Sequence, residues 1–339
     1  MLPENGTSSA GAVGELQARI DSRTDRSRLS IQPRLRSARY QDDASLDSDD
    51  QYLDTSFDFS SEKSSWTAAV GLTRDTTLTS EVDTTGIVQA NRRHEGISLS
   101  GSPTFALTQR LSAGGQLYWL DNHYVDAAAT GLVDYEYRAA SLFTQFSWSE
   151  LSLLTLTADA GELVVPSQDS NTRNATLRLG WRYQPAPLWT LEISAGPSVV
   201  EADSGSDNGS VFKLDLRRNA ERWSFNTSAG RDLTPTGRGV LTRRDQVSFG
   251  ASRKLTEFVS TGISIRGVRN QDLGAQRQVT FEEIEYGRID VRVDWRVSQQ
   301  WTVALGLAAA TQSYESRPDS ANNYRASLSI VWNGQPQLL

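Results

Sequence analysis

The chain has 339 residues, a formal net charge of −7, one methionine, two histidines and no cysteine. That composition excludes disulfides, thiolate nucleophiles and cysteine-based zinc or iron–sulfur sites, and His94 and His123 alone cannot build a histidine-rich metal centre, so no cofactor is implied. A pI near 5.1 argues against nucleic acid as a partner.

An apolar fraction of 37% is low for a soluble domain of this length, which should bury a large core. No run of about 18 apolar residues exists to form a transmembrane helix. Nine Trp, ten Tyr and ten Phe argue against a disordered chain. A transmembrane β-barrel reconciles these facts, because it is polar inside and apolar outside and its average composition looks soluble.

In chain order, residues 1–12, with Pro3, Asn5 and Gly6, read as an N-terminal loop or tail. Residues 13–334 read as one barrel, and 335–339 as a periplasmic tail. Period-two alternation predicts strands near 13–23, 27–39, 49–62, 64–76, 89–102, 104–120, 130–148, 150–165 and 171–184. In the last of these, Ala175, Leu177, Leu179, Trp181 and Tyr183 alternate with Thr176, Arg178, Gly180 and Arg182. Further strands fall near 187–202, 208–219, 221–232, 240–253, 256–269, 283–297, 299–313 and 322–333. The clearest pattern interleaves Ile289, Val291, Val293, Trp295 and Val297 with Arg288, Asp290, Arg292, Asp294 and Arg296. On a strand these two sets point to opposite faces. Strands of about ten residues or more have the span of tilted membrane strands. A soluble β-sandwich or propeller alternates too, but long strands are rare there and no repeated motif is present.

Connections alternate in length. Short ones fall near 23–25, 62–63, 149–150, 185–187, 219–221, 254–255 and 298–299. Long ones fall near 41–50, 76–86, 166–170, 202–209, 233–239, 271–280 and 315–321, and are rich in Asp, Ser, Asn, Gly and Thr. Short periplasmic turns and longer external loops are the pattern of outer-membrane barrels. Trp66, Trp148, Trp181, Trp189, Trp223, Trp295, Trp301 and Trp332 all lie near a short turn or the C-terminus. Indoles prefer the membrane–water interface, so these eight are expected to form a periplasmic girdle.

The expected fold is therefore an all-β, antiparallel, up-and-down transmembrane barrel of 16–18 strands in the bacterial outer membrane, with about seventeen strands in this chain. Bacterial single-chain barrels have even strand numbers. Counting back from Trp332 places the start of the first strand outside, and Met1–Pro3 open no secretory signal. The expectation is an 18-stranded barrel whose signal peptide and first strand precede these residues. The alternative is a 16-stranded barrel with an N-terminal tail.

The segments LPEN at 2–5, DTTGIVQANRR at 83–93 and TQRLSAGGQLYW at 108–119 resemble the β-barrel porin 2 family of outer-membrane proteins. The resemblance is spread over most of the chain and carries no catalytic motif. It implies an outer-membrane location, a strand ahead of the LPEN loop and a role in exopolysaccharide secretion.

If the Trp-bearing face meets lipid, the other face lines the lumen. That face would carry Arg34, Arg36, Arg178, Arg182, Lys213, Asp215, Arg217, Arg288, Asp290, Arg292, Asp294, Arg296 and Arg325. Such rows can set a transverse field across a pore and bind carboxylates of acidic sugars, or they can brace the wall through cross-strand pairs. No long internal segment offers itself as a plug, although loops could fold inward. The histidines, with Asp121, Asn122 and Asp126 beside His123, come with no nucleophile motif, which argues against an enzyme. The acidic stretch Asp42–Asp50 reads as a solvated loop or, less simply, a divalent-cation site. The expected function is a polar-lined pore in an exopolysaccharide secretion system, working with periplasmic partners. The alternatives are an anion-preferring diffusion porin for small solutes and a structural or adhesive surface barrel.

Overall fold

A computed structural model of the chain describes residues 9–79, 91–126, 130–203, 205–273, 284–314 and 317–334. The strands are β1 (Gly11–Gln17), β2 (Ile20–Arg23), β3 (Ser27–Tyr40), β4 (Ser48–Ser60), β5 (Ser64–Thr76) and β6 (Arg93–Ala106). They continue as β7 (Leu111–Tyr124), β8 (Tyr135–Ser149), β9 (Ser152–Val165), β10 (Ser170–Tyr183), β11 (Trp189–Ala202) and β12 (Gly205–Asn219). The last six are β13 (Trp223–Pro235), β14 (Leu241–Lys254), β15 (Val259–Leu273), β16 (Ile284–Arg296), β17 (Trp301–Tyr314) and β18 (Arg317–Trp332).

From β3 onward each strand pairs antiparallel with the next in sequence. β1 and β2 both pair with β3, Leu16 opposite Leu35 and Ile20 opposite Ile31. The register is unbroken across the gap, so β1 and β2 are one wall strand and the wall has seventeen positions. The first strand is thus part of the sheet, not the tail of the 16-strand alternative. Among the described residues no register joins β18 to β1 or β2, and the sheet is open there. An odd count makes these two edges run in the same direction.

Three boundaries differ from the sequence expectation. Pro103 does not mark a turn; it stays inside β6 opposite Trp66, and the β6–β7 ladder skips Ser102 and Pro103. A proline has no N–H to give, so the ladder is locally broken while the strand continues. The turn lies four residues later, where the Thr108 hydroxyl accepts from the backbone N–H of Arg110 at 3.2 Å and of Leu111 at 3.0 Å. Residues 205–209 and 317–321 read as loop but form the external ends of β12 and β18. Beyond the hydrocarbon both strand faces meet water, so the hydrophobic alternation disappears while the backbone stays extended. Most of the expected loops at 76–86 and 271–280, and the tail at 335–339, lie outside the described residues.

The two faces differ sharply. Large apolar residues stand exposed on the outer face, Leu142 at 71%, Leu117 at 67% and Leu305 at 53% among them. An exposed apolar surface of this extent marks contact with a membrane. All eight tryptophans of the expected girdle sit on this face near the short-turn end. The ninth, Trp119, lies nearer the opposite rim and donates to Glu136. Toward that rim the outer face turns to charge pairs, Arg74 with Glu95 at 3.1 Å and Arg231 with Asp245 at 2.6 Å. The lipid-facing belt is thus bounded by indoles below and ion pairs above. Val291 lies between these limits on β16. Val291→Arg should lower stability by about 2–4 kcal/mol in a refolding titration, whereas Ser329→Arg, on the inner face of β18, should cost under about 1 kcal/mol.

Candidate functional site

The inner face carries a polar wall and, at its external end, an apolar constriction. The polar wall begins with ladder rows. Arg36 lies 2.7 Å from the buried Asp50. The next row is a hydrogen-bonded line: Tyr52 donates to Asp75 at 3.2 Å, and His94 lies 2.9 Å from Asp75 and 3.0 Å from Asn122. Asn122 donates to the Tyr135 hydroxyl at 2.5 Å. Arg34 stacks over Tyr52 at 4.0 Å.

That line ends in the constriction. Tyr124, Leu132, Tyr135, Leu163, Val165, Val200, Leu241 and Leu273 form one buried apolar cluster. Its members come from β7–β9, the β7–β8 connection and β11 on one side and from β14 and β15 on the other. Strands this far apart in the wall can touch only across the interior.

Strand geometry explains how they meet. β12 and β13 pair only as far as Phe212 opposite Arg231. Beyond that point β12 continues to Gly205 on β11 alone, and β13 continues to Pro235 on β14 alone. The β13–β14 tip has left the wall and folds inward. Arg243 of β14 reaches Asp207 of β12 at 3.3 Å, so the tip lies against the inner face of β12. The 125–134 connection meets the tip from the other side, Val133 N–H donating to Gly237 C=O at 2.8 Å. Gly239 adopts φ +72°, and a Cβ there would come within 2.6 Å of Val133 and 2.9 Å of Val165. Only glycine fits this close approach without strain. Arg238 at the tip pairs with Asp272. The inward fold that the sequence left open is this one: a short hairpin tip, not a long insert, narrows the external mouth.

All thirteen predicted pore-lining residues share the inner face, and most are paired. Arg178 meets Asp159 at 2.8 Å, Arg182 meets Glu192 at 2.5 Å and Lys213 meets Asp215 at 2.8 Å. Arg288 meets Asp290 at 2.7 Å and Arg292 meets Asp294 at 2.6 Å. Arg296 donates to the Glu257 carbonyl at 2.6 Å. Arg217 and Arg325 make no ion pair among the described residues. Arg178–Asp159 and Arg182–Glu192 brace neighbouring strands, each worth about 0.2–1 kcal/mol, whereas the other three pairs lie within one strand.

The acidic stretch is spent on local structure. Asp43 caps a short 3-10 turn at Ala44–Leu46, Asp47 accepts from the Tyr40 N–H at 2.8 Å, and Asp49 binds Arg39 at 2.8 Å. Among the described residues no group of three or more acidic or histidine side chains could hold a metal. His123 lies in β7 and faces Asp134 at 2.6 Å instead of Asp121 or Asp126.

No family model and no curated protein matches the chain. Solved structures do. A copper transporter, OprC, superposes with TM-score 0.56 at 11% identity, covering 98% of this chain and 68% of that one. The FrpB iron transporter of Neisseria meningitidis superposes with TM-score 0.51 at 11% identity, covering 90% of this chain and 62% of that one. The chain thus spans about two thirds of their length. The fold is an outer-membrane β-barrel fold. With its exposed apolar belt, it assigns the chain to the bacterial outer membrane.

The constriction predicts a protease phenotype. Leu241 is fully buried. Leu241→Asp puts a carboxylate into an apolar cluster and should release the tip, raising trypsin cleavage after Arg238 roughly tenfold or more by mass spectrometry. Leu107→Asp, at an exposed periplasmic turn, should leave that cleavage unchanged.

Proposed function

We propose that the protein is a gated conduit across the outer membrane that passes a polar polymer, as one component of an exopolysaccharide secretion system. The observation that carries the gating is the inward β13–β14 tip, held by apolar contacts, by Arg243 on Asp207 and by the Val133 N–H on the Gly237 carbonyl. The wall below it is hydrophilic and braced, as a water-filled passage requires. A gate at the external mouth suits a conduit that opens only with its periplasmic partners and cargo. The likeness to transporters of metal ions supports passage in general, and the resemblance of residues 2–5, 83–93 and 108–119 to the porin 2 family supports the polymer.

A second reading, a diffusion porin preferring small anions, draws support from the surplus of arginine on the inner face. It differs in requiring a mouth that stands open. The cysteine-free chain allows a clean test. Val133→Cys with Gly237→Cys, whose backbones are already hydrogen-bonded, should form a disulfide that locks the mouth. In planar bilayers the oxidised protein should be silent. Shortening residues 236–240 to two glycines should produce steady conductance steps. Steady conductance of the oxidised double variant, equal to that of the shortened one, would remove the gate and leave the porin. Silence of the shortened variant would remove the conduit and leave a structural or adhesive barrel.

A further inference from the structure

The inner face of β13–β18 holds a feature that neither bracing nor gating uses. A recess of about 490 Å³ opens there. Its floor is bare, because Gly262, Gly306 and Ala308 occupy the ladder positions around Asp290 and Arg292. Side chains that would fill the space are missing, while the hydroxyls of Ser264 and Ser327 stand at its sides.

Charge in this region is unbalanced. Arg266, Arg288, Arg292 and Arg325 face two carboxylates, Asp290 and Asp294, in a chain whose net charge is −7. Arg266 stands directly opposite Arg288 in the ladder. Like charges in that position destabilise a sheet. Asp290 accepts two bonds from Arg288, at 2.8 and 2.7 Å, and so offsets that guanidinium. Arg266 and Arg325 have no carboxylate partner among the described residues. Arg325, a guanidinium without a carboxylate partner, lines this unfilled polar recess, and Arg266 stands one ladder position away, opposite the lining residue Arg288; this arrangement suits an anion.

We propose that this recess binds a carboxylate-bearing saccharide. The guanidinium fork matches a carboxylate in bidentate fashion. The bare glycine floor lets a ring lie close to the backbone, and the serine hydroxyls and backbone groups suit a ligand rich in hydroxyls. The assignment rests on the inner face being a passage, and it names the cargo that passage would recognise as an acidic sugar polymer.

The test is calorimetric titration of the folded protein in detergent micelles with trigalacturonate, maltotriose and inorganic phosphate. Trigalacturonate should bind, more weakly as salt rises, and maltotriose should not. Arg266→Gln and Arg325→Gln should each weaken trigalacturonate by about tenfold, the loss of one charge-assisted contact. Neither residue makes a native ion pair, so the variants should fold, and an unchanged thermal midpoint checks this. Equal binding of maltotriose, or full affinity in both variants, would overturn the site. Phosphate binding as tightly as the trimer would overturn the saccharide assignment. Because the titration reads binding and not flux, a conduit that fails to conduct and a recess that fails to bind are separate results.

Discussion

The structure depends on one constraint: a backbone that crosses hydrocarbon must satisfy every N–H and C=O within the protein. An antiparallel ladder does this for the strands between the two edges, each of β3 to β17 bonding to a neighbour on both sides. Side-chain parity follows from the ladder without further instruction, since consecutive residues alternate faces. One parity meets lipid and is apolar; the other meets the interior and is polar. The arginines and aspartates of β16 and the tryptophans at the rim are two expressions of the same alternation.

Where the ladder ends, other forces take over. Above Arg231 the β13–β14 tip no longer bonds to β12, and its backbone bonds within its own hairpin, to β15 and to Val133. Freed from the wall, its apolar side chains bury themselves against Tyr124, Tyr135 and Val165 inside the mouth. The hydrogen-bonded line from Tyr52 through Asp75, His94 and Asn122 to Tyr135 ties this cluster to the polar wall, so the mouth and the wall share a residue.

Much of this was legible in the sequence, and what escaped has a physical reason. The faces of β16 could be read because two different solvents act on them. The inward tip could not, because Leu233, Leu241 and Leu273 occupy positions of lipid-facing parity. An apolar residue there looks the same whether it ends against lipid or against another strand. Pro103 misled because a proline breaks a ladder without ending a strand. Pairs within one strand, such as Arg288 with Asp290, follow from parity alone. Arg36 with Asp50 and Arg178 with Asp159 need the register, which depends on where each turn begins.

The odd strand count has a mechanical meaning. Every joint in this wall is antiparallel, with bonds perpendicular to the strands, yet the two outermost strands descend together from the external to the periplasmic side. Brought edge to edge they could mate only with the slanted bonds of a parallel joint, which are slightly weaker per residue. The two described edges are zip tapes that face the same way, and an antiparallel joint between them takes a strand that runs upward.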